Sequence, residues 1–160
     1  MSLLLPILVL SVGALVFAQK TRPSESTQQA PVRFINPPTM PKPSGYTHVV
    51  DVARGRIIYI AGQVALDRSG NVVGRGDFRA QTQQVFENLK AALEASGASF
   101  RNVIKLNNYV VDMSQVQAFR ETRDKYVNTE NPPASTTVGV QRLVREEFLV
   151  EVEAIAVVPN

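Results

Sequence analysis

The C-terminal segment Phe148–Val158 constrains the fold most, because it is almost wholly apolar on one face. Glu151 and Glu153 interrupt it two positions apart, which is the side-chain repeat of a β-strand. A strand this apolar is typical of the centre of a sheet. If helices cover only one side of a small sheet, its other face stays in water. We therefore expect a closed oligomer that buries that face.

Four further stretches are rich in β-branched and aromatic residues and are predicted to be strands. They are Thr47–Val52, Arg56–Ala61, Val103–Val111 and Thr136–Gln141. The turn-like Ala53–Gly55 between the first two predicts a β-hairpin.

Two helices are predicted between these strands. Asp77 is a favourable N-cap for a helix that runs to about Ser96, with Gly97 just past its end. Its apolar stripe consists of Phe78, Val85, Phe86, Leu89, Ala92 and Leu93. Asp112 or Ser114 caps a second helix, which carries Val116, Phe119, Tyr126 and Val127 and ends before Pro132-Pro133. The order β-β-α-β-α-β-β predicts an α+β fold, with both helices on one face of the sheet.

The N-terminal segment Leu3–Ala18 is apolar and uncharged, and at about 16 residues it is short for a membrane span. Val16 and Ala18 are small residues at −3 and −1 of a cleavage point before Gln19, so residues 1–18 are predicted to be a signal peptide. No Lys or Arg precedes the apolar core, which leaves an uncleaved membrane anchor or a misassigned start as alternatives. The expected location is exported (periplasmic or secreted) or membrane-anchored. Residues 19–33 are predicted to be a flexible linker and residues 34–160 the folded domain.

Composition excludes several kinds of site. The chain has no Cys, which removes disulfides, thiolate nucleophiles and zinc–cysteine sites. Its one His, His48, is predicted to be an ordinary strand residue and cannot build a histidine metal cage. The formal charge is only +3 and the aromatics are scattered, so no nucleic-acid partner is expected. No metal or cofactor is expected.

Several motifs occur in a fixed order from Phe34 to Val158. They are Gly45-Tyr46, Ala61–Val64, the helix text Ala80–Ala91, Val103–Lys105 followed by Asp112-Met113, and Val150–Ala156. In this order and spacing they resemble the RidA/YjgF family. The resemblance implies a chorismate-mutase-like α+β fold that forms a homotrimer with ligand clefts between subunits. It also implies hydrolysis of reactive 2-imino acids, such as 2-iminobutanoate and 2-iminopropanoate, to 2-oxo acids and ammonia.

The resemblance also identifies candidate site residues. Tyr46, Gly62 and Glu151 match the family pattern, and Glu151 resembles the acid that positions the attacking water. Counting back from Arg142-Leu143, Ser135 occupies the position where the family's deaminases carry an Arg that binds the substrate carboxylate. Thr137 replaces the usual Cys and Ala61 the usual Ser. The stretch between Arg142 and Glu151 is one residue longer than the family pattern.

Arg120 on the second helix stands where the deaminases often have an Asn that lines the cleft. One hypothesis is that Arg120 replaces the missing strand Arg as the carboxylate contact. The alternative is a solvated Arg120 that pairs with Glu121 or Asp124. Tyr46 has a packed aromatic ring as its alternative role, and Glu151 a structural hydrogen bond across a subunit interface.

Two functions follow from these residues. The first is deaminase-like hydrolysis of imino acids, weakened because Ser135 replaces the carboxylate-binding Arg. The second is a non-catalytic trimer that binds a small metabolite, such as an imino, oxo or other carboxylate, or a partner. A ribonuclease label is also attached to the family, but these residues supply no acid–base pair for cleaving RNA.

Overall fold

The computed structural model describes residues 31–159, and it has six strands and two α-helices in that range. The strands are β1 (Val32–Ile35), β2 (Val49–Val52), β3 (Arg56–Gln63), β4 (Val103–Val110), β5 (Ala134–Gly139) and β6 (Val150–Val158). The helices are α1 (Phe78–Ala95) and α2 (Val116–Arg123), and 3-10 turns at Phe100–Asn102 and Met113–Gln115 precede β4 and α2. The predicted signal peptide or anchor lies outside the described residues. Within 31–159, no helix combines the length and apolar character needed to cross a membrane.

The main sheet has four strands in the order β3-β6-β4-β5. β6 lies between β3 and β4 and is antiparallel to both, whereas β5 runs parallel to β4. The prediction that Phe148–Val158 forms a central strand is therefore confirmed, although the strand itself begins at Val150. The prediction of an α+β fold with two helices on the sheet is also confirmed.

The predicted hairpin is wrong. β2 pairs with β1 in a separate two-stranded sheet, so β2 and β3 belong to different sheets. β1 begins at Val32, two residues inside the stretch predicted as linker, and Arg33 forms an ion pair with Asp51 across the two strands. β2 is paired with β1, so it does not fold back on β3 across the short turn at residues 53–55.

Helix α1 forms where its end signals predict it. The Asp77 carboxylate accepts a hydrogen bond from the Ala80 backbone N–H, and Gly97 takes a φ of 70° just past the C-terminus. One face of the helix is buried, and it includes the polar Gln81 and Thr82. The buried Gln81 amide donates to the Glu147 carbonyl and accepts from the Leu149 backbone N–H, so both of its ends are hydrogen-bonded. These bonds connect α1 to the residues just before β6.

Helix α2 is shorter than predicted. Asp112 caps the 3-10 turn rather than α2 itself, by accepting from the Ser114 backbone N–H. The α-helix then ends at Arg123, and Tyr126 and Val127 lie in the turn that follows. Tyr126 still joins the core, because its ring stacks on Phe86 with centroids 5.1 Å apart.

The core lies between the main sheet and the helices. Alternate residues of the strands point into it, such as Ile58 and Ile60 of β3 and Val152 and Ala154 of β6, and all four are buried. The intervening residues point to the other side, where Ile57 is 51% and Tyr59 76% exposed. We call this uncovered side of the main sheet the open face.

Candidate functional site

The predicted site residues divide between the two faces of the main sheet. Glu151 and Ala61 follow buried residues on β6 and β3 and therefore point to the open face. Ser135 and Thr137 of β5 are in register with the buried Leu106 and Asn108 of β4 and therefore point toward the helices.

The carboxylate of Glu151 lies against the backbone of Gly62. A β-carbon at residue 62 would overlap the carboxylate Oε1 of Glu151, so only glycine leaves the space that this side chain occupies. The pairing of β3 with β6 is irregular between Ile60 and Gln63, and this places Gly62 beside Glu151. The structure thus brings together two of the residues that the sequence identified.

A polar network surrounds Glu151 on the open face. Glu153 lies two positions further along β6 and accepts hydrogen bonds from Asn107 Nδ2 at 3.2 Å and from the Tyr109 hydroxyl at 3.3 Å. Tyr109 is also directly opposite Glu151 in the β4–β6 register. Glu153 is therefore held in place next to Glu151.

Burial and the neighbouring charge of Glu153 raise the pKa of Glu151 above its usual range. The pKa of Tyr109 is also raised, first by burial and then by Glu153. A carboxyl group with a raised pKa exchanges a proton more readily near neutral pH. Glu151 is accordingly the described residue best placed for general acid–base chemistry on the open face.

A shallow cavity of about 360 Å³ adjoins this network. Tyr59, Ala61, Lys105 and Glu153 line it, so it has an aromatic wall and both signs of charge. Lys105 donates to the Thr136 hydroxyl at 2.6 Å, and burial lowers its pKa. The open face therefore carries a cation within the same cavity as Glu153.

Ser135 and Thr137 are joined by a buried residue that the sequence analysis did not single out. The amide nitrogen of Asn108 donates to Ser135 Oγ at 3.0 Å, to Thr137 Oγ1 at 3.0 Å and to the Thr136 carbonyl at 2.9 Å. Asn108 is 1% exposed, and its Oδ1 is the buried side-chain atom among the described residues without a hydrogen-bond partner. A water molecule or a ligand donor is the usual partner of such an oxygen.

Tyr46 lies in the segment that leads to β2. Its ring meets His48 edge-on with centroids 5.2 Å apart, and it lines a cavity of about 570 Å³ rich in proline. The next residue, Thr47, bonds the carbonyls of Pro132 and Pro133 through its hydroxyl and its backbone N–H. Tyr46 is thereby held close to the residues that begin β5. The His48 ring forms a hydrogen bond with the backbone at Pro41, and its Nε2 lies 2.9 Å from the Pro41 carbonyl oxygen, which accepts.

Arg120 is exposed on α2. The two acids considered as its partners have other contacts: Glu121 pairs with Arg79 and Asp124 with Arg123. The buried guanidinium on this helix belongs to Arg123, which is 4% exposed. Its Nη2 lies 2.5 Å from the position of a β-carbon on Gly45, directly before Tyr46.

The structure therefore brings together Glu151, Gly62 and Ala61 on one face, and Ser135 and Thr137 on the other. Asn108 and Arg123 are the functional candidates that the sequence did not reveal. A polar residue at an apolar strand position was the available signal for Asn108. Among residues 31–159, no group of three or more His, Cys, Asp or Glu side chains is arranged to hold a metal ion.

Comparisons with known proteins agree with this architecture. The family model described as Endoribonuclease L-PSP matches residues 39–158. A RutC family protein of Pyrococcus horikoshii is 40% identical over 117 residues, which are 72% of this chain and 90% of that relative. The 2-iminobutanoate/2-iminopropanoate deaminase of Dermatophagoides farinae is 34% identical over 130 residues, which are 81% of this chain and 98% of that relative.

Solved structures give the same result. The Rid family protein YyfB of Yersinia pestis matches with a TM-score of 0.74 and 40% identity, over 81% of this chain and all of that one. RidA of the Antarctic bacterium Psychrobacter matches with a TM-score of 0.60 and 32% identity, over 79% of this chain and 99% of that one.

Proposed function

The chain belongs to the Endoribonuclease L-PSP family, also known as RidA/YjgF, and on that premise we propose that it hydrolyses 2-imino acids slowly. The observation that carries the proposal is the carboxylate of Glu151, which lies against Gly62 with its pKa raised. The deaminase from Dermatophagoides farinae supports the choice of substrate class.

The reaction needs little from the protein. A protonated imine is already electrophilic, so one oriented water molecule suffices as nucleophile. Glu151 accepts a proton as the water oxygen bonds to the imine carbon, which gives a tetrahedral amino alcohol. Return of that proton to nitrogen makes ammonia the leaving group. As the C–N bond breaks, the hydroxyl oxygen forms the C=O bond and passes its proton to Glu151, which leaves a 2-oxo acid and ammonia as products.

The site lacks a charged side chain at position 135 to bind the carboxylate of the substrate. The hydroxyls of Ser135 and Thr137 already accept from Asn108, and neither carries the charge of a guanidinium. Loss of a charged hydrogen bond to a substrate costs on the order of a hundredfold in kcat/KM. The exposed Arg120 is retained as the hypothetical replacement for that contact.

A complete site requires more than one copy of the chain. Ser135 is in register with Leu106 and Glu151 with Tyr109, three positions further along β4, and the two side chains point to opposite faces. One small ligand cannot touch both within a single chain. We therefore propose a homotrimer whose clefts combine residues of neighbouring copies, and the exposed Ile57 and Tyr59 give the open face apolar surface for such contacts. Light scattering of the purified protein tests this proposal, and the expected mass is three times that of one chain.

The test of function is the release of ammonia or oxo acid from an imine generated enzymatically. We expect slow turnover by the wild type and a gain of about a hundredfold in kcat/KM for Ser135→Arg. Ser69→Arg is the matched control, because it makes the same substitution at an exposed turn residue that lines neither the open-face cavity nor the Ser135 side of the sheet. Fast turnover by the wild type, unimproved by Ser135→Arg, would contradict the proposed weakness.

The second candidate is a trimer that binds a small carboxylate without turning it over. The absence of a strand Arg at position 135 favours it. It becomes the better description if both the wild type and Ser135→Arg bind a 2-oxo acid but release no ammonia. Under the Arg120 hypothesis, Arg120→Ala then weakens binding, and an unchanged affinity would eliminate that role.

A further inference from the structure

Another cavity lies on the helix side of the molecule, away from the open face. It has a volume of about 390 Å³ and is formed by the C-terminal half of α1, the turn before β4 and the residues after α2. A cavity of this size matches the lower part of the range seen for small-molecule sites. None of the residues discussed for imine hydrolysis lines it.

The base of this cavity is apolar and aromatic. Leu93 is fully buried, and the rings of Phe100 and Tyr126 lie with centroids 5.4 Å apart. The Tyr126 hydroxyl donates to Glu87 Oε1 at 2.6 Å, which fixes the orientation of the ring. Tyr126 also stacks on Phe86 in the core, so the aromatic base is rigidly supported.

The rim of the cavity is cationic. Lys90, Arg101 and Lys125 line it and are exposed. Glu94 lines it with them, and Glu87 is bound to the Tyr126 hydroxyl at its base. The four ion pairs found in residues 31–159 use other cations, namely Arg33, Arg75, Arg79 and Arg123. Three positive side chains without ion pairs around an aromatic base favour an anion with a flat apolar part.

We propose that this cavity binds a small aromatic anion, with its ring on Phe100 and Tyr126 and its charged group between Lys90, Arg101 and Lys125. The N-terminal residues of the same chain are a poor occupant, because residues 1–30 carry two cations and one acid. The charge of the rim thus selects an external ligand. Arg101 also borders an adjoining surface cavity of about 620 Å³, which leaves room for a ligand longer than one ring.

Titration of the full chain with 2-naphthoate, followed by calorimetry and by amide NMR shifts, tests this proposal. We expect saturable binding with the largest shifts at Phe100, Arg101 and Tyr126. Arg101→Gln and Lys125→Gln should each weaken binding about tenfold, because each removes a charged contact. Both residues are exposed, so the variants should fold normally, and Arg54→Gln is a matched exposed cation outside the cavity.

Three further arms define the ligand and the site. The uncharged 2-naphthalenemethanol tests the need for charge, and cyclohexanecarboxylate tests the need for a flat ring; both should bind much more weakly. Adenosine 5′-monophosphate replaces the carboxylate with a phosphate and, if it binds more tightly, identifies nucleotides as the preferred source of the anion. Glu151→Gln should leave naphthoate affinity unchanged.

Several results would overturn the proposal. They are no saturable binding at millimolar naphthoate, equal losses with Arg54→Gln and Arg101→Gln, or shifts centred on Glu151 and Ser135 instead. The last result would place the aromatic anion at the site proposed for imino acids, and would leave that proposal standing. Conversely, failure of imine hydrolysis has no bearing on the helix-side cavity.

Discussion

The carboxylate of Glu151 occupies the space in which residue 62 would carry its β-carbon, and it fits there because Gly62 has none. The contact joins β3 to β6 at the point where their register shifts. The contact fixes the position of Glu151, which is the proposed proton acceptor in imine hydrolysis.

Gly62→Ala should therefore displace Glu151 and lower imine hydrolysis by at least about tenfold, because small shifts of a reacting group cost rate. The rate is best measured in the Ser135→Arg background, where turnover is expected to be highest. Stability should fall by less than about 1 kcal/mol, since the displaced atoms are the end of a flexible side chain. If the effect acts through Glu151, adding Gly62→Ala to Glu151→Gln should change the rate no further.

Asn108→Ala should destabilise the protein by about 2 kcal/mol in urea unfolding. The substitution removes a buried amide that donates to three acceptors, and it leaves those acceptors partly unsatisfied. Asn107→Ala is the matched control on the same strand, where a single bond to Glu153 predicts a loss below about 1 kcal/mol. Equal losses would show that the Asn108 cluster adds no special stability.

Gly45→Ala should destabilise the protein more than Gly70→Ala. Both glycines have positive φ, 73° and 82°, so both variants incur backbone strain of about 1 kcal/mol. Only at Gly45 does the new methyl group meet a neighbour, the buried guanidinium of Arg123, whereas Gly70 has nothing within 4 Å. Thermal unfolding of the pair measures the difference, and indistinguishable midpoints would contradict the close packing of Arg123.

Glu151→Gln should increase stability near neutral pH. Burial and the charge of Glu153 raise the pKa of Glu151 above 4.5 in the folded protein, so the folded state binds this proton more tightly than the unfolded state does. The resulting stabilisation is complete below about pH 4.5 and is lost as the pH rises through the raised pKa. The glutamine variant lacks this loss, so its advantage should appear with rising pH and vanish in acid.

The measurement is urea unfolding of the wild type and Glu151→Gln across the acid to neutral range, at one protein concentration. A difference between the two that does not change with pH would show that Glu151 titrates alike in both states.

The elements with strong local signals were predictable from the sequence. Asp77 and Gly97 mark both ends of α1, and the alternation around Glu151 and Glu153 identified the central strand. The pairing of β2 was not predictable in the same way. β1 is only four residues long, and the choice between β1 and β3 as partner depends on contacts between distant parts of the chain.

The site was predictable only in part, for a similar reason. Glu151 and Gly62 could each be identified, but their contact depends on an irregular register between two strands. Asn108 and Arg123 are polar residues that the fold buries. The inward strand position of Asn108 is a signal of burial but does not show what the side chain contacts, and nothing near Arg123 distinguishes it from an exposed arginine. Their partners, Ser135 and Gly45, lie far away in the chain.

The position of β5 at the edge of the main sheet also affects how this scaffold can change. Within the described residues β5 pairs only with β4, and the buried contacts between α1, β3 and β6 do not involve it. Side chains at positions 135 and 137 can therefore be exchanged one at a time, because the buried Asn108 amide then keeps the Thr136 carbonyl and the other hydroxyl as acceptors. Exchange of both leaves one N–H of that amide without an acceptor, so a library that varies the two positions singly should yield more folded proteins than one that varies them together.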